Sequence, residues 1–220
     1  MPPAGRWMCR RTISTMRIER MEPSAHKKDR VLVFLEGGEL LKITQSELLR
    51  YGLRPGMELS DSVAAEIKKS AAKSEMKALG AQLTGSRMLS KKQVVEHLTR
   101  RGGDRSAAEE TAQWLEELGA VNEEAYGQAI VRHYSAAGYG SGRIRQELHR
   151  RGVPRELWEG LLSRMPPAEE TVERFIRGRC RNKTVDNDLL RKLSAALQRR
   201  GFSWQEIAPA LRRLEEETQK

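Results

Sequence analysis

The residues with the clearest chemical potential in this sequence are arginines that recur in a fixed setting. The pattern Leu-x-Arg-Arg-Gly occurs three times, and its glycines, Gly102, Gly152 and Gly201, are separated by 50 and 49 residues. A guanidinium is a permanent cation whose planar donors match the oxygens of phosphates and carboxylates. The repeated pairs therefore predict contacts with a repetitive anionic partner. The pairs are Arg100–Arg101, Arg150–Arg151 and Arg199–Arg200.

A simpler role for these pairs is the stabilisation of helix ends. Each pair directly precedes a glycine that is placed to end a helix. Cations in a last turn offset the negative end of the helix dipole by about 0.3–1 kcal/mol each. This role accounts for at least one arginine of each pair. A last-turn arginine nevertheless remains exposed, so the two roles can hold together.

Arg143 and Arg145 are stronger candidates for partner binding than the repeated pairs. Both lie near the predicted start of a helix, where a cation opposes the helix dipole. Residues placed against a local preference are more often functional. Tyr139 lies just before them, between Gly138 and Gly140. The sequence therefore predicts a basic partner-binding segment from Tyr139 to Arg145.

Two other groups of residues have structural explanations at least as good as functional ones. A second basic run is equally consistent with a solvated helix face; it comprises Arg174, Arg177, Arg179, Arg181 and Lys183. Tryptophans can stack on nucleic-acid bases. However, Trp114, Trp158 and Trp204 stand at unequal distances from their glycines and lie in amphipathic helices. Core packing is the role predicted for all three.

No pattern in the sequence predicts catalysis or a bound cofactor. The four histidines and the cysteines Cys9 and Cys180 lack the spacing of a metal site. The phosphate-binding loop, the nucleophile elbow and the dinucleotide fingerprint are all missing from the sequence. Adjacent glutamates such as Glu123 and Glu124 lie at helix ends, where they suit the dipole. We expect neither enzyme activity nor a cofactor nor a metal ion.

Short amphipathic helices must position the repeated arginines. An apolar residue stands eight and four residues before each glycine, which places one apolar stripe on each helix. These residues are Val94, Leu98, Ile144, Leu148, Leu193 and Leu197. A second helix follows each glycine and another precedes each pair. Each repeat therefore predicts a three-helix module, and neighbouring modules should stack because one alone buries little surface.

The predicted organisation places this helical array after a small β-structure. Val31 to Leu35 and Leu40 to Ile43 flank two glycines and predict a hairpin, followed by a short helix with Ser46 as N-cap and Gly52 at its end. The predicted divisions are a disordered basic tail at 1–28, the hairpin and short helix at 29–60, and three-helix modules at 61–120, 121–165 and 166–220.

Composition and charge narrow the class of protein. Aromatic residues make up 5% of the chain, which argues against a deep aromatic pocket. The net charge of +10 favours a nucleic acid, an acidic protein or an anionic membrane surface as partner. Two cysteines fit a reducing compartment, and no stretch approaches the roughly 20 apolar residues of a membrane span. A cytoplasmic protein without a signal peptide is therefore expected.

The middle module resembles the bacterial RecX family, regulators of the RecA recombinase. The family core is represented by Gly138, Tyr139, Gly140, Arg143, Ile144, Glu147, Leu148, Gly152 and Val153. The join before it is represented by Leu115, Leu118, Gly119 and Tyr126. Asn122 stands where the family usually has an acidic residue, and Glu123 follows it. The flanking modules match more loosely, and the resemblance runs from about residue 30 to the end.

The resemblance implies a mostly α fold of three tandem three-helix modules in a curved array, preceded by a small N-terminal β-hairpin extension. It implies a monomer that binds in the groove of the RecA filament and contacts single-stranded or duplex DNA there. The implied outcome is inhibition of the ATPase, strand-exchange and coprotease functions of RecA during DNA repair and the SOS response. A different reading of the same helices is an autonomous helical DNA-binding module.

Overall fold

The protein is described by a computed structural model that covers residues 15–25, 27, 29–180 and 185–218. The chain forms two compact units, Met1–Leu79 and Gly80–Lys220, so that the boundary falls inside one long helix. The described part of the chain is mostly helical, with one small antiparallel sheet in the first unit. No helix within the described ranges is both long and apolar enough to cross a membrane.

The first unit is a four-stranded antiparallel sheet with a short helix. The strands are β1 Thr15–Pro23, β2 Arg30–Leu35, β3 Leu40–Thr44 and β4 Glu58–Ser60, in the order β3-β2-β1-β4. Helix α1 spans Gln45–Tyr51 and helix α2 spans Asp61–Ser86. One face of the sheet is apolar and packs against the first half of α2. This core comprises Ile18, Val33, Leu35, Leu41, Ile43, Leu53, Leu59, Ala64, Ile67 and Ala71.

The predicted hairpin is confirmed as β2 and β3, but it belongs to a larger sheet. The prediction that residues 1–28 are disordered is wrong for residues 15–23, which form β1 between β2 and β4. Ile18 is the only residue of β1 classed as buried, and polar residues surround it, so composition concealed the strand. Residues 1–14 of that predicted tail lie outside the described residues, as do residues 26 and 28.

The predicted N-cap of α1 is also wrong. The cap is Thr44, whose side chain accepts a hydrogen bond from the Glu47 backbone, while the Glu47 carboxylate accepts one from the Thr44 backbone at 2.8 Å. This reciprocal arrangement satisfies two backbone donors that Ser46 would leave open. Gly52 ends the helix with a left-handed φ of 58°, as predicted.

The second unit consists of helices joined by short turns. It begins in the last part of α2 and continues through α3 Lys91–Arg100, α4 Arg105–Glu117, α5 Glu123–Ala136 and α6 Ser141–Arg151. A 3-10 turn at Arg155–Leu157 leads into α7 Trp158–Leu162. The remaining helices are α8 Ala168–Cys180, α9 Asn187–Arg199 and α10 Trp204–Thr218. Ser90 and Gln93 form a capping box at the start of α3, and Asp186 is the N-cap of α9.

The repeat is confirmed in the packing of these helices. All six apolar residues at the repeated positions before the glycines are at most 3% exposed. Helices α5 to α7 share one hydrophobic cluster built around Ile144 and Leu148, and α8 to α10 share another built around Leu193 and Leu197. Gly102, Gly152 and Gly201 have φ of 87°, 76° and 88°, the left-handed conformation that a helix stop requires.

Candidate partner-binding surface

The repeated Arg-Arg-Gly turn forms a joint between consecutive modules. At the end of α9, the carbonyls of Arg200 and Gly201 accept hydrogen bonds from the backbone N–H groups of Gly140 and Gly142, at 2.9 and 3.0 Å. A Cβ on Gly140 would lie 2.6 Å from the Gly201 carbonyl oxygen, and one on Gly201 would overlap the backbone of Arg143. Backbone therefore meets backbone directly, and two of the backbone N–H groups at the start of α6 are satisfied by the next module.

The same turn one module earlier makes a similar joint. At the end of α6, the Arg151 carbonyl accepts a hydrogen bond from the Ser90 hydroxyl at 2.5 Å. Ser90 is the N-cap of α3, so the turn again docks on the start of the preceding module's middle helix. A Cβ on Gly152 would clash with the side chain of Lys92. The Lys91 N–H also donates to the Glu123 carboxylate at 3.0 Å.

The turn at Gly102, which is the first copy along the chain, does not form such a joint. Among the described residues, no atom lies within 4 Å of the position that a Cβ would take on Gly102. Gly102 and both arginines before it are exposed. The Arg-Arg-Gly turn is thus a joint at two of its three positions and a free surface at the first.

Glu147 organises the arginines of α6. Its side chain is 4% exposed and forms ion pairs with Arg150 at 2.6 Å, Arg143 at 3.2 Å and Arg151 at 3.5 Å. Burial opposes ionisation of this carboxyl, but hydrogen bonding from Arg150 and the nearby guanidiniums outweigh it. The pKa of Glu147 therefore lies below its ordinary value. A charged Glu147 holds three guanidiniums on one side of the helix.

Tyr139 and Arg200 lie within the joint at Gly201 and are not on a free surface. The Arg200 guanidinium lies over the rings of Tyr139 and Phe175, at 5.4 and 4.8 Å from their centroids. It also donates to the carbonyls of Ala137 and Gly138, at 3.2 and 3.0 Å. On the other side, Tyr139 contacts Tyr134 with ring centroids 5.5 Å apart. Both predicted binding residues therefore have a structural role that explains their position.

The remaining predicted arginines differ in the contacts that their side chains make and in how far those side chains are exposed. Arg143 and Arg151 are tied to Glu147, and Arg151 also lies 5.7 Å from the centroid of Tyr134. Arg150 pairs with Glu147, yet its side chain stays 68% exposed. Arg145 makes one weak contact, to the Ser141 hydroxyl at 3.3 Å. The predicted arginines that are exposed are Arg100, Arg101, Arg143, Arg145, Arg150 and Arg199.

The end of α3 has its own local electrostatics. Arg100 donates to the Glu96 carbonyl at 3.2 Å, which is the helix-end role expected for one arginine of the pair. His97 is close to both Arg87 and Arg100, with nitrogen separations of 2.9 and 3.4 Å. Burial and the neighbouring guanidiniums, Arg100 first, lower the pKa of His97. The imidazole is thus held in its neutral form beside the free turn.

One expectation from sequence is modified at the third module. Trp204 is 58% exposed, so the prediction of core packing is wrong for it. It occupies the first position of α10, and it stays exposed although its spacing places it on the same helix face as the buried Ile207 and Leu211. Of the second basic run, Arg177 pairs with Glu173 at 3.3 Å, while Arg181 and Lys183 lie outside the described residues.

Sequence reasoning missed the central part played by Glu147 and by Gly142. A signal for Glu147 was available, since it stands four residues after Arg143 and three and four before Arg150 and Arg151. Those are the spacings at which helix side chains meet. Gly142 gave no such signal, because its role depends on a turn some 60 residues away.

Comparison with known proteins assigns this chain to a family. A family model described as RecX, second three-helix domain, matches residues 122–162, which contain α5 to α7. The regulatory protein RecX of Geobacillus kaustophilus is 30% identical over 194 residues, covering 82% of this chain and 70% of that protein. The chain belongs to the RecX family.

Other RecX proteins support the same assignment. The regulatory protein RecX of Caldanaerobacter subterraneus is 27% identical, covering 84% of this chain and 93% of its own. A crystal structure of a regulatory protein RecX superposes with a TM-score of 0.73 at 20% identity, over 89% of this chain and 98% of that one. The RecX of Lactobacillus salivarius gives a TM-score of 0.61 at 16% identity, over 66% of this chain. The fold is therefore that of RecX proteins.

Proposed function

We propose that this protein is a modulator of the RecA recombinase. It binds in the groove of the RecA–DNA filament and inhibits the recombinase, ATPase and coprotease activities of RecA, and so regulates DNA repair and recombination. Its membership of the RecX family, whose named relatives are regulatory proteins, supports a regulatory role. The partners in this proposal are the RecA filament and the single-stranded or duplex DNA within it.

One observation carries the proposal on the structural side. The Arg-Arg-Gly motif repeats from module to module, and exposed arginines recur with it at Arg100, Arg150 and Arg199. Cations at regular chain intervals suit a partner that is itself a repeating array of negative charge. A filament of protein and nucleic acid is such a partner.

The proposed mechanism is binding without catalysis. A series of modules that occupies the groove denies that space to a second DNA and opposes the changes in subunit arrangement that accompany turnover. The joints contribute because direct backbone hydrogen bonds hold consecutive modules in register. The protein would act as a monomer in the cytoplasm, with no cofactor.

A second function, autonomous DNA binding, is favoured by the same exposed arginines. Three-helix units with basic surfaces can bind duplex DNA without another protein. Such binding would weaken steeply as salt is raised, because each neutralised phosphate releases counterions. Filament binding adds protein contacts and should retain affinity at salt concentrations where bare DNA is released.

Comparing the two targets distinguishes these functions. Binding of the full chain would be measured by fluorescence anisotropy on labelled single-stranded DNA, bare or coated with RecA and a non-hydrolysable ATP analogue. The proposal predicts at least tenfold tighter binding to the coated strand near physiological salt, a difference of about 1.4 kcal/mol. Equal affinities for bare and coated DNA would establish the second function and contradict the first.

A further inference from the structure

The first unit carries a cavity that the proposed function does not use. Its volume is about 420 Å³, and its lining includes Ser24, Lys27, Arg30, Leu32, Leu40 and Lys42, with Glu75 of α2 beside them. Arg30 and Leu32 alternate along β2 with the buried Val33 and Leu35, so they lie on the sheet face opposite the core. The cavity therefore opens on the face of the sheet that its own core leaves unpacked.

Arg30 is the unusual residue of this cavity. It is only 5% exposed, yet the structure gives its guanidinium no hydrogen bond or ion pair with any other described residue. Its backbone is fixed, because its N–H donates to the Lys27 carbonyl at 3.1 Å and its carbonyl accepts from the Ser24 N–H at 2.8 Å. An arginine stays charged in proteins, and the nitrogens of this guanidinium, although the residue is largely buried, still reach solvent and have no acidic partner. An anion in the cavity would supply the missing partner.

The other lining residues indicate which chemical groups a bound molecule must have beside its anionic group. Lys42 is exposed and stands opposite Leu32 in the strand register, so a cation and an apolar surface are adjacent. Leu40 is 40% exposed on the same face. The one acidic residue, Glu75, reaches Lys27 only at 4.0 Å and with both side chains about half exposed, so it neutralises little of the positive charge.

We propose that this cavity binds a peptide segment in which a carboxylate stands next to an apolar side chain. The carboxylate is paired with Arg30 and Lys42, and the apolar side chain packs on Leu32 and Leu40. Strand β3 is at the edge of the sheet of described strands, so an extended peptide can approach the cavity from the side. This site is independent of the proposed action on RecA.

Single-stranded nucleic acid is the other anionic polymer to consider, and the cavity fits it less well. Binding of single strands relies on aromatic rings that stack on bases. The described residues that line this cavity include no aromatic side chain. The neighbouring ring on the same strand, Phe34, is covered by the guanidinium of Arg20 at 4.0 Å. An acidic, apolar peptide is therefore the better occupant.

The test uses the full chain and a short fluorescein-labelled peptide of alternating glutamate and leucine, followed by fluorescence anisotropy. Saturable binding is expected, and Arg30→Met should weaken it at least about tenfold, because it removes the guanidinium charge while keeping the length of the side chain. Arg54→Met is the matched control, since Arg54 is exposed in the same unit outside the cavity. That variant should bind like the wild type.

A second variant keeps the proposal testable if Arg30→Met fails to fold, which circular dichroism would reveal. Lys42→Gln changes an exposed residue and should weaken binding several-fold. Peptides of glutamine with leucine, or of glutamate with serine, should bind more weakly than the probe. The proposal is overturned if the probe does not bind, or if neither cavity variant changes its affinity. It is also overturned if these variants reduce binding of an oligothymidylate while leaving the peptide unaffected.

Discussion

Glu147 shows how one side chain arranges several charges. It is an acidic residue in the most basic helix of the second unit, and three arginines converge on its buried carboxylate. Without it, the like charges of Arg143, Arg150 and Arg151 would repel one another along about two turns of helix. The exposed arginine surface of the middle module therefore depends on a residue that is itself hidden from any partner.

The first prediction concerns the pH dependence of this interaction. The folded-state pKa of Glu147 lies below the ordinary value of 4.5, so its contribution to stability is fully present at higher pH and is lost as the pH falls through the folded-state pKa. Glu147→Gln should lower the free energy of unfolding by about 1–3 kcal/mol at neutral pH. The deficit relative to wild type should narrow once the pH drops below about 4.5.

Urea unfolding across this pH range, followed by circular dichroism, measures the effect. Glu159→Gln is the matched control, because it neutralises an exposed carboxylate of the same module. It should change stability little at any pH. If Glu147→Gln showed a deficit independent of pH, the carboxylate would act through packing and the ion-pair account would be incorrect.

At the scale of secondary-structure elements, the helix stop and the module joint are the same structure. At two of the three copies, a left-handed glycine ends the middle helix of a module, and its carbonyl or that of the preceding arginine accepts hydrogen bonds from the start of the middle helix of the module before it. The last two copies of the motif, 49 residues apart, are therefore explained by packing between modules as well as by charge. The side chain of Arg200 contacts the neighbouring module in its joint, whereas that of Arg151 contacts Tyr134 and Glu147 of its own module.

Two glycine substitutions separate the joint from the helix stop. Gly201 and Gly102 have nearly equal φ, 88° and 87°, so alanine at either position should cost about 1 kcal/mol in backbone strain. Only at Gly201 would the new Cβ overlap another module, at the backbone of Arg143. Gly201→Ala should therefore lower the free energy of unfolding by at least about 1–3 kcal/mol more than Gly102→Ala.

Hydrogen exchange provides the second readout for these variants. The amides of Gly140 and Gly142 donate across the joint, so their exchange should accelerate in Gly201→Ala and stay slow in Gly102→Ala. Equal unfolding energies and equal exchange in the two variants would show that the joint does not contribute to stability.

The sequence was informative where the determining interactions are local. The stripe at Val94 and Leu98 repeats at i, i+4, and the glycine stops have a known conformational requirement, so core and helix ends were predictable. Strand β1 was not, because its burial rests on Ile18 pairing with Leu35 of another strand. The close approach of Gly140 to Gly201 is likewise a tertiary contact that no local pattern announces.

The same division applies to the candidate binding residues. Their position at a helix start distinguishes Arg143 and Arg145 in the sequence. Only the structure shows that Arg143 forms an ion pair with Glu147, while Arg145 makes one weak contact with the Ser141 hydroxyl. Tyr139 was placed in a binding segment because of its glycine neighbours, and those glycines prove to serve the joint. Which of the exposed arginines contact a partner stays a prediction.

For the molecule as a whole, charge and modularity act together. The chain carries a net charge of +10, and its helical unit presents exposed arginines in each of three successive modules. A single guanidinium contact with a phosphate is weak, and several that engage in register add up, since each releases counterions. We therefore expect inhibition of RecA to depend on arginines of more than one module.

The most direct measurement is the ATPase activity of RecA on single-stranded DNA as the full chain is titrated in. We expect wild-type protein to inhibit hydrolysis at or below stoichiometric amounts. We also expect Arg145→Ala combined with Arg199→Ala to raise the half-inhibiting concentration at least about tenfold with helicity unchanged. The charge-matched control, Arg50→Ala with Arg54→Ala, changes exposed arginines of the first unit and should inhibit like wild type. Unchanged ATPase activity at stoichiometric wild-type protein would contradict the proposed function.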